Sequence, residues 1–510
     1  MSAATHDVPV AAPLAPARWP SWWPLAALML LAAVIRLSTL NLQSFWYDEA
    51  FTPVHVLHPS LWATLRSVVH SENTPPLWYV IEWADSRVLG TGEVALRLPS
   101  ALAGIATVAV AWAIGRELEG APDARSRRVA IGCAAFVAVN PLFVWYSQEA
   151  RAYGLFVFMA ALAMLCFLRV RREPTARRAV AFAVVGALAL LTHYFAVFLL
   201  IPMVLALLWD RATRRLALPV AVAVGIVGLA LLALISAQGG HGTQWIGRWP
   251  LRERLEAIPQ YYLTGYSGSP LGHGIELLVA LPILAGLGFG LWRMRGPARA
   301  PSRRALGGAQ LALAIAACGV LIPIVLVAFG ADYLAPRNLV AAMIPLTALI
   351  AFVVLWPGSG RVGIALAGAI ALAFLLVSID VDLSPRLQRG NWRDVARALQ
   401  SPPREPVITT VELGSVPLEY YLPGLHELRE GSYVTVSEID ETGYAPLVAS
   451  AGEPPAPGFH LQARLDIDGL IVYRFVSSVP RRVSEASLRR HVITQAAPDV
   501  LVPLGAQVST

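Results

Sequence analysis

The sequence contains no lysine; all 40 basic residues of the 510 are arginine. Charge of either sign is scarce, at 14% of residues, where a soluble domain carries about 25%. That is too little to cover the surface of a soluble protein of this length, and it also excludes a disordered chain. Only three cysteines occur, Cys133, Cys166 and Cys318, each inside an apolar run and none close to another. They read as small core residues rather than disulfide or metal ligands. No GxxxxGK[ST] and no GxGxxG after a strand is present, so a nucleotide held by a P-loop or Rossmann turn is unsupported. HExxH and CxxC are absent too.

The chain is instead rich in long apolar runs. Hydrophobic residues make up 56% and the mean hydropathy is +0.58, the composition of a polytopic α-helical membrane protein with room for one modest soluble domain. The net charge of +7 does not indicate nucleic-acid binding, because the arginines lie in short tracts between apolar runs rather than on a polar domain. They are a topology signal.

About 20 apolar residues cross a bilayer core, and spans are expected near 22–40, 94–116, 129–147, 151–169, 178–192, 194–209, 216–236, 275–293, 306–330, 338–356 and 362–379. Arg-rich connectors (Ala124–Arg128, Arg169–Arg178, Asp210–Arg215, Arg293–Arg304) alternate with connectors rich in aromatics and acids. Positive-inside then predicts eleven spans, with the N-terminus in the cytoplasm and the C-terminus outside. Arg178–Arg215 has basic tracts at both ends, which calls for two short or tilted crossings turning near His193-Tyr194; one long tilted span is the alternative. Residues 41–93 form a first outer loop, with helices lying at the interface at 61–70 and 76–88; a true span at 76–90 is its rival. Residues 1–20 read as a disordered N-terminus, 21–379 as the membrane domain, and 380–510 as a small α/β domain on the outer face. That domain opens with a helix at Trp392–Leu399 and has strands at Pro406–Val411, Ser432–Val436 and Leu470–Phe475.

Ionisable groups at membrane depth are costly and mark function. Arg36, Asp48, Glu49, Arg97, Glu149, Arg151, His193, Asp332 and Arg337 all fall at the predicted outer ends of spans. Arginine forks suit an anionic substrate, and a carboxylate can take a hydroxyl proton. His55, His58 and His70 in the first loop, and His241 and His273 in the 237–274 loop, read as polar interface residues rather than as a metal site.

Several motifs carry a resemblance. They are Phe45-Trp46-Tyr47-Asp48-Glu49-Ala50-Phe51-Thr52, Glu72-Asn73-Thr74-Pro75-Pro76, Glu93-Val94-Ala95-Leu96-Arg97-Leu98-Pro99-Ser100-Ala101, Asn140-Pro141, Tyr146-Ser147-Gln148-Glu149-Ala150-Arg151-Ala152-Tyr153, Thr192-His193-Tyr194-Phe195 and Pro336-Arg337-Asn338-Leu339. Across about residues 20–380 the chain resembles the bacterial glycosyltransferase family 39 group, GT-C membrane enzymes similar to protein O-mannosyltransferases and lipid A aminoarabinose transferases. The resemblance implies a polyprenyl-phosphate-linked sugar as donor and a glycan, lipid or protein acceptor reached from the outer face of the plasma membrane. It implies that Asp48 is the base, with Glu49 beside it orienting an arginine or a metal. Arg36 and Arg97 match the arginines flanking the first loop; Arg36, Arg97, Gln148, Glu149, Arg151, Tyr153, His193, Tyr194 and Arg337 are the expected substrate-binding residues, with Arg97, Arg337 and Arg151 holding the donor phosphate. Some relatives bind a divalent metal near the donor phosphate, and the resemblance leaves metal dependence open here. Thr74 stands where many relatives carry His or Asp before the two prolines, so no metal or acceptor role follows for it. A transporter or flippase of a lipid-linked anionic glycan is the competing reading, for which repeated halves are expected; the sequence has none.

Overall fold

The computed structural model describes residues 22–119, 124–240, 243–265, 273–295, 303–400, 406–411, 413–494 and 497–509. Residues 1–20, expected to be disordered, and His241 lie outside the described residues.

A helix occupies each of the eleven segments expected to span. Seven of them are long and apolar enough to cross a membrane. An eighth is bent by 56° where Arg127–Val139 meets Pro141–Ser147. Pro141 has no N–H to continue the ladder and clashes with the preceding turn, so the chain breaks at Asn140, whose side chain accepts from the Leu142 N–H at 3.0 Å and donates to the Tyr262 carbonyl at 3.0 Å. Arg36 reaches the broken end, donating to the carbonyls of Ala138 (2.8 Å) and Val137 (3.2 Å). Trp23–Leu37, Ala176–Thr192 and Ala196–Trp209 are shorter apolar helices. The last two are separated by a turn at His193–Phe195, so this stretch is two helices rather than one. The chain is a multi-pass membrane protein. Helix Arg214–Gln238 has a mean hydropathy of 2.8 and stays largely exposed, as expected of a helix apolar all round that faces lipid.

In the 41–93 segment, short helices at Tyr47–Phe51, Leu61–Ser71 and Leu77–Leu89 follow one another. At about 1.5 Å per residue the last is about 20 Å long, short of a crossing.

Residues 407–509 carry a seven-stranded sheet: β1 (Val407–Thr410), β2 (Leu425–Glu427), β3 (Tyr433–Tyr444), β4 (His460–Ile467), β5 (Leu470–Ser484), β6 (Asp499–Pro503) and β7 (Gln507–Ser509). The order is β2-β6-β1-β3-β5-β4, with β7 paired to β3. Only β1 and β3 are parallel. Helix Trp392–Leu399 packs one face through Trp392, Val395 and Leu399. No disulfide joins the three cysteines.

The sheet region is fastened to the 41–46 strand of chain. Ser44 Oγ donates to the Gly390 carbonyl (2.9 Å) and accepts from the Trp392 N–H (3.0 Å). The Phe45 N–H donates to the Tyr421 hydroxyl at 2.7 Å. Asp48 and Glu49 follow directly, so the sheet region helps to fix where they point.

Candidate active site

Asp48 and Glu49 are successive residues of helix Tyr47–Phe51, and their side chains diverge. Glu49 is fully buried. It pairs with both sides of the Arg97 fork at 2.7 Å and accepts the Ala150 N–H at 2.9 Å. Burial alone would raise its carboxyl, but Arg97 and Arg389 outweigh that and hold it below the usual value. The remaining Arg97 donors reach the carbonyls of Leu40, Gln43 and Ser44 at 2.7–3.0 Å. All five N–H groups of this guanidinium are thereby committed, and it covers the Phe45 ring at 5.1 Å.

Asp48 turns the other way. Its Oδ2 lies 2.6 Å from Arg337 Nη1, and both side chains are a little under one-fifth exposed. Arg337 opens helix Pro336–Val354 and lies between two rings, Trp245 at 4.9 Å and Tyr153 at 5.9 Å. Arg151 grips Glu72 with both nitrogens (3.0 and 3.1 Å) and donates to the Asp48 carbonyl at 3.3 Å. This ties the 41–93 segment to the start of helix Tyr153–Arg172.

Two cavities meet at Asp48. One of about 330 Å³ is lined by Arg151, Glu72, Tyr153, His193 and Tyr194, and then by apolar residues such as Phe198, Leu231 and Leu232. Leu232 is 58% exposed on the apolar flank, so this cavity runs toward the lipid-facing surface. The other, of about 960 Å³, is lined by Trp46, Trp249, Glu253, Gln260 and Arg386 among others. Tyr47, Asp48, Trp245 and Arg337 line both. The Asp48–Arg337 pair is therefore part of the partition between them.

His193 stacks on Phe156 at 4.5 Å, and its Nδ1 accepts the Phe195 N–H at 3.2 Å. Burial, with Arg337 and Arg151 nearby, pushes it down to about 3. The ring is neutral, and with Nδ1 an acceptor the proton sits on Nε2 as a donor. Tyr194 donates to Gln238 at 2.6 Å, and Gln238 donates to the Thr74 carbonyl at 3.0 Å.

Of the residues picked out by the sequence, Asp48, Arg151, Tyr153, His193, Tyr194 and Arg337 converge on these cavities. Arg36, Glu49, Arg97, Gln148 and Glu149 line neither. Arg36 caps the Asn140-Pro141 break and donates to Ser147 at 3.1 Å. Gln148 holds the end of the first helix through the Ile35 carbonyl (3.1 Å) and Thr39. Glu149 accepts from Arg389 at 3.0 Å. Asp332 pairs with both nitrogens of Arg254, and that pair anchors the 244–264 helices.

The sequence reading gives no site role to three residues found here, Arg389, Trp245 and Glu72, the last although it opens one of the quoted motifs. Arg389 donates to Glu149 and Gln43 and lies over Trp145 at 4.1 Å; its one sequence signal is its position just beyond the last apolar helix. Among the described residues no three His, Cys, Asp or Glu side chains converge. The donor set for a divalent ion is thus not assembled by them.

Comparison with known proteins agrees with this architecture. ArnT from Cupriavidus metallidurans in its apo state superposes with a TM-score of 0.54 at 12% identity, covering 88% of this chain and 97% of that one. The chain has the GT-C fold. ArnT bound to undecaprenyl phosphate aligns at a TM-score of 0.50 and 12% identity, over 89% of this chain and 98% of that one. The oligosaccharyltransferase AglB of Archaeoglobus fulgidus, in complex with an inhibitory peptide and a dolichol-phosphate, aligns at 0.43 and 15% identity, over 79% and 59%. Residues 73–236 of this GT-C chain match the family described as dolichyl-phosphate-mannose-protein mannosyltransferase, which accords with the resemblance read from its motifs. No curated protein matches the sequence.

Proposed function

We propose that the protein transfers a sugar from a polyprenyl-phosphate donor to an acceptor hydroxyl, with inversion, at the outer face of the plasma membrane. The observation that carries this reading is the Asp48–Arg337 pair in the partition between an apolar-lined and a polar cavity. ArnT, of the same fold, binds undecaprenyl phosphate, which supports a lipid-linked donor, and the clustering of Arg tracts in the connectors of the opposite end supports the outer face for this one.

In this reading the donor's prenyl chain occupies the cavity toward the lipid flank and its phosphate meets the free donors of Arg337 and the Nε2–H of His193. The acceptor enters from the other side. Its hydroxyl oxygen attacks the anomeric carbon and its proton passes to the Asp48 carboxylate. The bond from the anomeric carbon to the phosphate oxygen breaks, and its electron pair goes to the departing phosphate. Charge grows on that phosphate as the bond lengthens, so fixed donors beside it lower the barrier. Arg337 thus has two tasks, pairing with Asp48 at rest and with phosphate during transfer. Arg151, Tyr153 and Tyr194 shape the donor site, while Glu49, Arg97, Arg36, Gln148 and Glu149 hold it.

The test is a membrane assay with radiolabelled polyprenyl-phosphate sugars, followed by identification of the labelled product. Failure of every donor to be turned over, with folded protein present, overturns the reading.

A further inference from the structure

The 960 Å³ cavity carries chemistry that the donor does not need. Its volume is that of a site for a sizeable ligand. One wall is aromatic: Trp46 precedes the Asp48 helix, and Trp245 and Trp249 are near-parallel with ring centroids 6.3 Å apart and planes 27° from one another. Helix Leu251–Thr264 adds Glu253, Glu256 and Gln260 to the lining. Trp249 donates to one oxygen of Glu253 at 3.1 Å, and Arg252 donates to one oxygen of Glu256 at 2.8 Å. Each carboxylate pairs through one oxygen only among the described residues.

Charge in the chamber balances. Asp48, Glu253 and Glu256 face Arg248, Arg337 and Arg386, so nothing favours an anionic or a cationic occupant. Aromatic rings with carboxylates and an amide beside them suit a pyranose, which has apolar C–H faces and an equator of hydroxyl donors. An acyl chain would find its apolar surface in the smaller cavity instead. A peptide added as a β-strand would need an open strand edge, and no described β-strand lines the chamber; the sheet region contributes Leu413, which precedes helix Ser415–Tyr421.

We propose that this chamber binds a neutral carbohydrate, so that the hydroxyl reaching Asp48 belongs to a glycan acceptor. The proposal rests on the transfer reading for the acceptor role, but not for sugar binding itself. Trp249 and Trp46 present ring faces to the sugar, Glu253 and Gln260 accept and donate around its edge, and Asp48 lies at the chamber's inner end.

The test uses the full-length protein in phosphatidylcholine nanodiscs, free of glycoside detergents. Saturation-transfer NMR is recorded with three neutral trisaccharides, mannotriose, maltotriose and cellotriose, and with a serine- and threonine-containing peptide. Saturation of at least one sugar is expected. It should weaken roughly three- to tenfold in Trp249→Ala and fall in Glu253→Gln, yet persist in Trp62→Ala, a ring 67% exposed on another helix. No sugar signal, a signal unchanged in both chamber variants, or saturation of the peptide alone would overturn the proposal. Hydrolysis of polyprenyl-phosphate sugars to free sugar separates the two readings. Donor turnover without sugar binding defeats the chamber assignment, and sugar binding without donor turnover defeats the transfer reading.

Discussion

Glu49 and Arg97 form a two-pronged ion pair, both N···O distances 2.7 Å, in which neither side chain is more than 1% exposed. Every Arg97 donor is already committed, so the role proposed for this arginine is to fix the loop that carries Asp48. Removing one partner leaves the other charge buried and alone, at a cost of about 3–5 kcal/mol. Arg97→Met and Glu49→Gln are therefore expected to lower the thermal unfolding temperature of the purified protein sharply. Arg97→Lys should lower it as well, since an ammonium cannot span Glu49 and three carbonyls. Loss of donor affinity with full thermal stability in Arg97→Lys would return this residue to the binding site.

Much of this was readable from the chain alone. Apolar runs and arginine tracts mark the helices, and Asp48-Glu49 marks the loop. The motif resemblance points to Asp48 rather than Glu49, but the physical reason is not readable from the chain, because it lies in Arg97 and Arg337, respectively 48 and 289 residues from their partners. Arg389 was hidden for the same reason, lying 240 residues from Glu149. Strand β3 extends well past the predicted 432–436, because Glu438, Asp440 and Glu441 break its apolar pattern. They are buried nonetheless: Arg474 holds Glu438 and Asp440 at 3.1 Å, and His491 meets Glu441 at 2.9 Å.

Glu149 gives the protein a pH dependence. Burial pushes its carboxyl up from 4.5 to about 7, against the pull of Arg389 and with Glu49 and Asp48 adding to the rise. The folded state thus binds this proton more firmly than the unfolded chain does. Its contribution to stability is complete below about pH 4.5 and is lost as pH rises through about 7. The whole window spans on the order of 3 kcal/mol. Glu149→Gln keeps the shape and removes the titration, so unfolding midpoints followed from pH 4.5 to 8 should lose this component of their slope. An unchanged slope would mean that Glu149 stays ionised beside Arg389.

Arg337 is the cation shared by both cavities, and its fork matters more than its charge. Arg337→Lys keeps a positive group near Asp48 but loses the guanidinium contacts with the Trp245 and Tyr153 rings and two-pronged contact with phosphate. The pair is partly exposed, so stability should change by less than about 1 kcal/mol. Turnover is expected to fall roughly 100-fold or more, the scale for losing a donor aimed at developing charge. Steady-state rates against donor concentration, beside a melting curve, check both halves of the claim.

Asp48 carries the sharpest expectation. A capping role would explain an aspartate at the start of a short helix, but the N-cap is Trp46 and no side chain caps this helix. The Asp48 carboxylate instead meets Arg337 at 2.6 Å and lines both cavities. Asp48→Asn preserves size and can still accept a hydrogen bond from Arg337, yet it cannot take a proton from a hydroxyl. A positioned base contributes roughly 10² to 10⁴ in rate, so turnover at saturating donor should fall by that factor. Binding of polyprenyl phosphate and the unfolding temperature should stay near those of the unaltered protein, because the pair is partly exposed and contributes little to stability. Asp48→Glu moves the carboxylate by one methylene and is expected to recover only part of the rate, since proton transfer demands hydrogen-bond distance to the attacking oxygen. Turnover of Asp48→Asn within a few-fold of the unaltered protein would remove Asp48 from the chemistry and leave it a partner of Arg337 alone.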